Sequence, residues 1–423
     1  MRTIFRNRPL PVAVIVAALS LGCLVAEGPA AVAQDGDAQP SAAETADPPA
    51  EAEGQPAGET VDDDPVGREL LAEYEKRRTT WAESMVTLRD AQIRFHNGGE
   101  ETEEQYRQIV REQLTVARSR YDELLEQVVK MLQYNPNGGD FLKSFLAQTV
   151  AHRGHVDWYE NLAKPVEMLE EFLSERVDSE FHSIAGRAQV VAGNFEQASR
   201  HLQLALQTEK PLDCDLRLLG TLDRLAAAWN AEQERLASDP DDLPLVEIET
   251  TRGKMLIELY EDQAPNTVAN FIQLVDQGFY DELPFYQVVD HLFAMTGDPY
   301  GDGSGDSGHH IADEADHPDA RSPLRGSLVM AKLPVPGDPQ GRTVDDSASS
   351  QFMILLLPLE LPAGKYTTFG RVIEGLPAVS YFTRLDPTKK TDKNEVKMPP
   401  DRILTAKVVR KRDHDYEVKY VEE

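Results

Sequence analysis

The sequence has few cysteines and few basic residues, and each shortage excludes a class of protein. Its 423 residues include two cysteines, Cys23 and Cys214, so a small fold held together by several disulfides is excluded. Lysine and arginine together number 43, against 73 aspartates and glutamates, which gives a formal net charge of −30. Because nucleic acids are bound through basic surfaces that neutralise phosphates, we expect no nucleic-acid partner.

Long apolar runs are missing after residue 33, and no later run reaches the roughly 20 residues that cross a bilayer. Residues 1–33 themselves have the pattern of a signal peptide. The pattern comprises basic residues, an uncharged apolar stretch and a cleavage motif: Arg2, Arg6 and Arg8; Pro11–Ala26; and Ala31–Ala33. We therefore expect an exported protein in the periplasm or cell envelope of a bacterium. Cys23 resembles a lipid-attachment cysteine, and membrane contact is expected only if it is lipidated.

Residues 34–66 are rich in alanine, proline, aspartate and glutamate and contain neither a basic nor an aromatic residue. Such a segment buries too little apolar surface to offset the entropy lost on ordering, and its like charges repel one another. We predict a disordered acidic linker here.

Residues 67–237 carry apolar side chains at helical spacing, which predicts an all-α region. One part resembles the second helix and turn of a tetratricopeptide repeat, in which small residues let two antiparallel helices approach closely. The residues that carry this likeness are Gly193, Phe195, Ala198, Leu202 and Ala205. No second copy lies 34 residues upstream, so an ordinary helical bundle stays an alternative. The region would either dock a protein partner or act as a spacer.

A boundary follows at residues 237–244, where two prolines and three aspartates disfavour both helix and strand. Residues 245–412 then contain apolar segments of strand length, separated by glycine, proline and aspartate, which predict a mostly antiparallel barrel. The predicted strands are Val246–Thr250, Lys254–Tyr260, Phe285–Asp290, Leu292–Thr296, Gly326–Ala331, Gln351–Leu357, Thr368–Ile373 and Arg402–Arg410. Helices are predicted after Ala264 and over Leu376–Leu385, and residues 413–423 form a tail.

Several short motifs occur in a fixed order along the barrel region: Ala264–Phe271, Gly278–Tyr280, Gly297–Pro299, Gly326–Ala331, Ser350–Phe352 and Phe369–Val372. Their residues and their order resemble a cyclophilin. The resemblance implies an eight-stranded antiparallel barrel capped by two helices, with an outer groove that binds proline-containing polypeptides. It also implies peptidyl-prolyl cis–trans isomerase activity that needs no cofactor.

The resemblance assigns the catalytic positions. Isomerisation of an X-Pro bond has a barrier of about 18–20 kcal/mol, because the amide has partial double-bond character. A catalyst can lower it with a donor aimed at the twisting nitrogen and an apolar slot for the proline ring. In cyclophilins that donor is the arginine of a Phe-His-Arg motif, and Gln287 stands in its place after Phe285 and Tyr286. Gln351 matches a family glutamine and is the second expected catalytic residue.

The resemblance also assigns the substrate-binding positions, several of which carry substitutions. They are Phe285, Leu292, Phe293, Met295, Ala331, Met353, Leu361 and Tyr366. Ala331 matches the family, whereas Met295 replaces a glutamine, Leu361 a tryptophan and Tyr366 a histidine. The expected pocket is therefore apolar, with fewer polar groups than the family pattern has.

Two functions follow from this pattern. The first is a prolyl isomerase acting on exported proteins, weak because the loss of a positioned donor costs on the order of 10²–10³ in rate. The alternative is a non-catalytic chaperone or scaffold that binds proline-containing peptides and docks a partner through its helical region.

Two groups of potential metal ligands have unsuitable spacing, so we expect no metal site. Asp298, Asp302 and Asp306 lie four residues apart, without the alternation and the terminal glutamate of a calcium loop. His309 and His310 are adjacent, and adjacent side chains on an extended segment point to opposite sides.

Overall fold

The computed structural model describes residues 64–97, 103–173, 178–338, 342–361, 364–387, 389 and 398–422. The predicted signal peptide, Cys23 and nearly all of the predicted acidic linker lie outside these ranges. Within them, the chain forms helices up to residue 236 and an eight-stranded sheet from residue 245 onwards. None of the helices in these ranges combines the length and the apolarity that a membrane span requires.

Residues 65–236 form the predicted helical region, whose first helix begins at Pro65, two residues inside the predicted linker. Its helices are α1 (Pro65–His96), α2 (Glu103–Tyr134), α3 (Asp140–His155), α4 (Ala163–Leu173), α5 (Ser179–Ala192), α6 (Phe195–Ala205) and α7 (Asp213–Leu236). Helices α1 and α2 pack antiparallel. The rings of Trp81 and Tyr121 lie 5.8 Å apart, and further along α1 Leu88 packs with Tyr106 and Val110, which come earlier in α2. Their apolar residues recur at helical spacing and so meet along one stripe.

Helices α5 and α6 form the hairpin predicted from small residues. Gly193 ends α5 in the left-handed conformation, with φ of 80°, which glycine adopts without steric cost. At Gly186 a Cβ atom would lie 2.7 Å from the side chain of Leu202, so the absence of a side chain lets the helices touch. Ala198 and Leu202 are fully buried in this contact. The tetratricopeptide likeness stays a prediction that a single hairpin does not test.

The barrel region contains eight antiparallel strands. They are β1 (Leu245–Thr250), β2 (Gly253–Leu259), β3 (Gln287–Val289), β4 (Phe293–Thr296), β5 (Ser327–Met330), β6 (Phe352–Leu355), β7 (Thr368–Glu374) and β8 (Ile403–Arg410). Their order in the sheet is β3-β4-β6-β5-β7-β2-β1-β8. The two edges meet where the Phe285 N–H donates to the Asp401 carbonyl at 2.8 Å and the Ile403 N–H to the Leu283 carbonyl at 2.9 Å. The curled eight-stranded sheet confirms the predicted fold class.

Two helices cap this barrel. Helix α8 (Pro265–Asp276) begins with a proline in its first turn and buries Val268, Phe271 and Ile272 in the barrel core. Helix α9 (Pro377–Ser380) is shorter than the predicted helix over residues 376–385. Leu385 instead forms an extended bridge in which its N–H and carbonyl both bond to Val288, so the chain leaves the helix early.

Strand β6 shows how the barrel produces a second apolar surface on its outside. Phe352 and Ile354 point into the barrel core, whereas Met353 and Leu355 belong to a separate cluster on the outer face. The separation follows from the two-residue period of a strand, in which successive side chains point to opposite faces. This outer cluster forms one wall of the candidate site.

Candidate active site on the outer face of the barrel

A cavity of about 360 Å³ opens on the outer face of the barrel. It lies between the strands β3, β4 and β6, the loop over residues 301–306 and the segment over residues 331–334. Six of the predicted site residues line it: Gln287, Met295, Ala331, Gln351, Met353 and Tyr366. The structure therefore brings both predicted catalytic glutamines together with four of the eight predicted substrate-binding residues.

The other four predicted substrate-binding residues do not line the cavity. Phe293 and Leu361 lie in the adjacent outer apolar cluster. Leu292 lies in the turn between β3 and β4, where its carbonyl accepts a hydrogen bond from the Leu356 N–H at 2.8 Å. Phe285 is fully buried in the barrel core, with its ring 4.3 Å from that of Phe382.

The apolar wall of the cavity is the outer cluster seen on β6. Val329, Met353 and Leu355 form its buried base. The partly buried side chains that pack on this base are Phe293, Met295, Leu359, Leu361 and Tyr366. Met353 is 6% exposed and borders open space rather than filling it. A small apolar ring can pack against this wall without displacing water from polar groups.

The polar wall contains a hydrogen-bonded pair, Tyr286 and Gln351. The Tyr286 hydroxyl donates to Gln351 Oε1 at 2.5 Å, and Gln351 Nε2 donates to the carbonyls of Gly305 at 2.6 Å and Gly303 at 3.2 Å. Burial raises the pKa of Tyr286, and the charge of Asp298 raises it further, so the hydroxyl keeps its proton. Gln351 is thus fixed at both ends of its amide.

The loop that supplies those carbonyls is organised by Asp298. The fully buried Asp298 carboxylate accepts backbone N–H groups from Tyr300, Asp302, Gly303 and Gly305 at 2.5–3.0 Å. At Gly305 a Cβ atom would lie 2.3 Å from the Asp298 carboxylate, so a side chain is excluded there. Asp298 therefore acts as an internal anchor of the loop.

Gln287 lies on β3 directly opposite Met295 of β4 and lines the cavity. Among the residues that the structure describes, none forms a hydrogen bond with its side-chain amide. The amide is therefore available to a bound molecule, in contrast to that of Gln351. The described lining contains one basic residue, Lys332, whose ammonium group is buried against Asp313, with Asp345 at 3.6 Å.

Sequence reasoning missed several residues of the lining. They are Gly301, Asp302, Gly303, Asp306, Lys332, Leu333, Pro334, Ser347, Ser349 and Pro387, together with Tyr286, which was noted only as a replacement. Most lie on loops that fold back over the strands. Two signals were available: the Gly/Asp composition of residues 298–308, since such a loop accommodates close backbone approach, and the unusual length of residues 334–346, which follow Lys332 and Leu333 where the resemblance expects a segment beside the groove.

The turn that joins β3 to β4 is held by the helical region. His291 lies in this turn at φ of 61°, and its backbone N–H donates to Asp157 at 3.1 Å while its ring Nδ1 lies 2.5 Å from the same carboxylate. Arg384 also donates to Asp157, at 3.2 Å. Burial alone would raise the pKa of Asp157, but His291 and Arg384 outweigh it and hold that pKa below its usual range. The strand that carries Gln287 is thus tied to the helices by charged contacts.

Comparisons with known proteins match the barrel region. A family model described as cyclophilin type peptidyl-prolyl cis-trans isomerase/CLD matches residues 245–408. "Peptidyl-prolyl cis-trans isomerase-like 1" of Neurospora crassa is 34% identical over 171 residues, which cover 40% of this chain and 96% of that protein. "Peptidyl-prolyl cis-trans isomerase ppi1" of Schizosaccharomyces pombe is 35% identical over 164 residues, covering 38% and 96%. A solved cyclophilin type isomerase of Cryptosporidium parvum, crystallised in the presence of the dipeptide Ala-Pro, is 26% identical, with 40% and 99% covered and a TM-score of 0.32.

The expected localisation, in the periplasm or envelope of a bacterium, is wrong. The isomerases of both fungi, and similar proteins of Mus musculus and Homo sapiens, are eukaryotic and hence not bacterial periplasmic proteins. The expectation rested on the composition of residues 1–33, where arginines precede an apolar stretch, and such a pattern is common to several kinds of segment. The expectation that the protein acts on exported proteins depended on this localisation and therefore loses its support.

The cyclophilin resemblance and the enzyme class that it implies are confirmed. The matched residues include β1 to β7, both capping helices and all but the last two residues of β8, and the chain covers nearly the whole length of both fungal proteins. Residues 65–236, with all seven helices of the helical region, lie outside the match. The chain belongs to the cyclophilin-type peptidyl-prolyl cis-trans isomerase family.

Proposed function

We propose that this protein is a slow peptidyl-prolyl isomerase that binds proline-containing polypeptides in the cavity on the outer face of the barrel. The observation that carries the proposal is the position of Gln287, whose amide lines a cavity with one apolar wall and has no hydrogen-bond partner among the described residues. The proline ring would rest on Met295, Met353 and Tyr366. The preceding peptide bond would then lie beside the Gln287 amide.

The reaction requires a donor because the amide nitrogen becomes basic as the bond twists. In the proposed mechanism Gln287 donates an N–H to that nitrogen, and the interaction is stronger in the twisted state than in the planar one. A neutral hydrogen bond contributes about 0.5–1.5 kcal/mol net, against about 1.5–3 kcal/mol for a charged one. Turnover is therefore expected to be slower than with an arginine at this position.

We assign Gln351 a positioning role. Both ends of its amide are bound, by Tyr286 on one side and by the carbonyls of Gly303 and Gly305 on the other. It would therefore hold the loop over residues 297–308 against β6 rather than donate to the substrate. The loop in turn forms the polar rim of the cavity.

The test is the rate of cis–trans exchange of a short X-Pro peptide, measured by NMR with the full chain. We expect Gln287→Arg to raise kcat/KM about tenfold, from the difference between neutral and charged hydrogen bonds. Gln287→Ala should lower it severalfold. Gln277→Ala, which changes an exposed glutamine at the end of α8, should leave it unchanged. A wild-type rate equal to that in buffer refutes the isomerase proposal.

One observation favours a second candidate, a non-catalytic binder of proline-containing peptides. The one lysine of the cavity lining, Lys332, is neutralised by Asp313 and Asp345, so the described lining offers little positive charge to a twisting amide. A binder would retain peptide affinity without accelerating exchange. Titration of the same samples with the peptide separates the binder from the isomerase. The binder is supported if the wild type binds the peptide without accelerating exchange and Met353→Ala binds it more weakly.

A further inference from the structure

A group of metal-ligating side chains lies in the helical region, away from the proposed isomerase site. Glu170, His182 and His201 come from three successive helices, α4, α5 and α6. One potential ligand atom from each residue lies within 4.8 Å of the others. The sequence did not reveal the group, because its members are separated by 12 and 19 residues and fit no spacing motif.

The two histidines face each other at close range. Their Nδ1 atoms lie 3.0 Å apart, so a single hydrogen can lie between them. His201 is 1% exposed and His182 is 8% exposed, and the ring of Phe181 lies edge-on to both. An ion held between the two Nδ1 atoms needs a lone pair on each, so the hydrogen that one Nδ1 carries would have to move to Nε2 of the same ring.

A metal ion fits this separation with a small adjustment. Two imidazole nitrogens on a tetrahedral Zn²⁺ at about 2.0–2.1 Å lie roughly 3.3 Å apart, about 0.3 Å more than the observed distance. A nearby carboxylate is not required for two histidines to form a hydrogen bond, whereas a metal ion needs further ligands besides the two imidazoles. A Glu170 oxygen lies 3.7 Å from His201 Nε2, on the ring edge opposite the Nδ1 atom that faces His182. Glu170 therefore becomes a third ligand only after its carboxylate rotates towards the two Nδ1 atoms.

The surrounding charges partly balance one another. Arg200 donates to both oxygens of Glu170, at 2.8 Å for one of them, and orients that carboxylate as outer-shell partners of metal ligands do. Its positive charge opposes a cation, since Nη2 lies 3.2 Å from His201 Nε2, and water screens that charge only in part because the side chain is 52% exposed. The carboxylates of Glu167 and Asp178 also act on the histidines and favour a cation.

We propose that Glu170, His182 and His201 bind one Zn²⁺ ion and thereby fasten α4, α5 and α6 together. Two imidazoles and a carboxylate are a ligand set that zinc accepts, with a fourth position left to water. The site also bears on the barrel. Arg187, five residues after His182 on α5, lies 2.9 Å from the His291 ring in the β3–β4 turn. Zinc would therefore stiffen the helix that contacts this turn.

The test uses the full chain freed of metal with a chelator. Co²⁺, added as a spectroscopic probe, should bind with one ion per chain and give the strong visible absorption of a tetrahedral site, and Zn²⁺ should displace it. Zn²⁺ should also raise the thermal unfolding midpoint, because it binds the folded state alone. Absence of stoichiometric Co²⁺ and Zn²⁺ binding overturns the proposal and leaves a hydrogen-bonded histidine pair.

The variants distinguish this site from other ligands on the chain. His201→Gln and Glu170→Gln should each weaken Co²⁺ binding at least about tenfold, since outer-shell changes alone cost roughly 10–100-fold. Glu170→Gln keeps the side-chain shape at a partly exposed position and so preserves the fold. His155→Gln, which changes a histidine that is 63% exposed on α3, is the matched control and should bind as the wild type does. Equal binding by all three variants would also overturn the proposal.

Discussion

The barrel and the helical region differ in where the partners of their functional residues lie in the sequence. In the barrel, Gln351 and Met353 reach the cavity from neighbouring positions of one strand segment. In the helical region, Asp157 contacts His291 over 134 residues, and Arg187 contacts the same histidine over 104 residues. The barrel therefore builds its proposed site from contacts among its own strands and loops, such as that of Tyr286 with Gln351 over 65 residues, while the helices act on the barrel through a few buried charges that cross between the two regions.

The largest effect should come from breaking that long-range contact at Asp157. This carboxylate is fully buried and accepts from His291, Arg384 and the Tyr159 hydroxyl. Asp157→Ala leaves these donors without their acceptor, and removal of one partner of a buried ion pair typically costs about 3–5 kcal/mol. Urea unfolding of the full chain at pH 7 measures the free energy of unfolding.

The matched control for that measurement is Asp241→Ala, at an exposed aspartate between α7 and β1. Exposed substitutions of this kind usually change the free energy of unfolding by no more than about 0.5 kcal/mol. If Asp157→Ala lost no more than this control, the two regions would be independent, contrary to the comparison.

The pH dependence of the same contact gives a second test. Because His291 and Arg384 hold the pKa of Asp157 below the ordinary aspartate value of 3.8, the ionised carboxylate stabilises the folded state at every pH above that value. The stabilisation is lost as the pH falls below about 3.8, towards the folded-state pKa. The difference in unfolding free energy between the wild type and Asp157→Asn should therefore be smaller at pH 3 than at pH 5. A constant difference down to pH 3 would contradict this assignment.

The sequence predicted the barrel well because its motifs are local. Strand alternation and turn residues gave all eight strands, and the cyclophilin resemblance gave six residues of the cavity lining. Phe285 shows where this reasoning fails. Phe285 and Gln287 would share one face of an ideal strand, yet Phe285 and Val288 both point into the core. The strict alternation is broken between Phe285 and Val288. The Phe285 N–H donates to the Asp401 carbonyl, so Phe285 is paired with the opposite edge of the sheet before β3 begins.

The helical region could be predicted as helices but not as a set of contacts. Apolar spacing identifies a helix and its buried face, whereas the partner of a lone charge depends on the packing of whole regions. Nothing in the sequence around Asp157 or Glu170 indicates His291 or His201 as a neighbour. The loop residues over the cavity were missed for the same reason, since their positions depend on the Asp298 anchor.

Within the helical region, the contact between α5 and α6 should respond to an added methyl group. Gly186→Ala places a Cβ 2.7 Å from the fully buried Leu202 side chain and 3.2 Å from its backbone nitrogen. Overpacking of this kind typically costs about 1–3 kcal/mol, measurable by urea unfolding. Gly220→Ala is the matched control, because its Cβ meets nothing within 4 Å inside α7. Gly220→Ala should raise the free energy of unfolding by about 0.5–1 kcal/mol. If Gly186→Ala also raised it, the close approach of α5 and α6 would be contradicted.

The smallest effect should come from the polar wall of the cavity. Tyr286→Phe removes the hydroxyl that donates to Gln351 Oε1 and leaves the ring in place. Loss of one neutral hydrogen bond costs about 0.5–1.5 kcal/mol, so kcat/KM for a short X-Pro peptide should fall roughly two- to tenfold as the loop over residues 297–308 loosens. Tyr300→Phe, at a tyrosine of the same loop that is 77% exposed, should leave the rate unchanged. If Tyr286→Phe instead left kcat/KM intact while Gln287→Ala lowered it, the fixed Gln351 amide would be dispensable for catalysis. The chemistry of the barrel would then depend on one strand position together with the apolar wall.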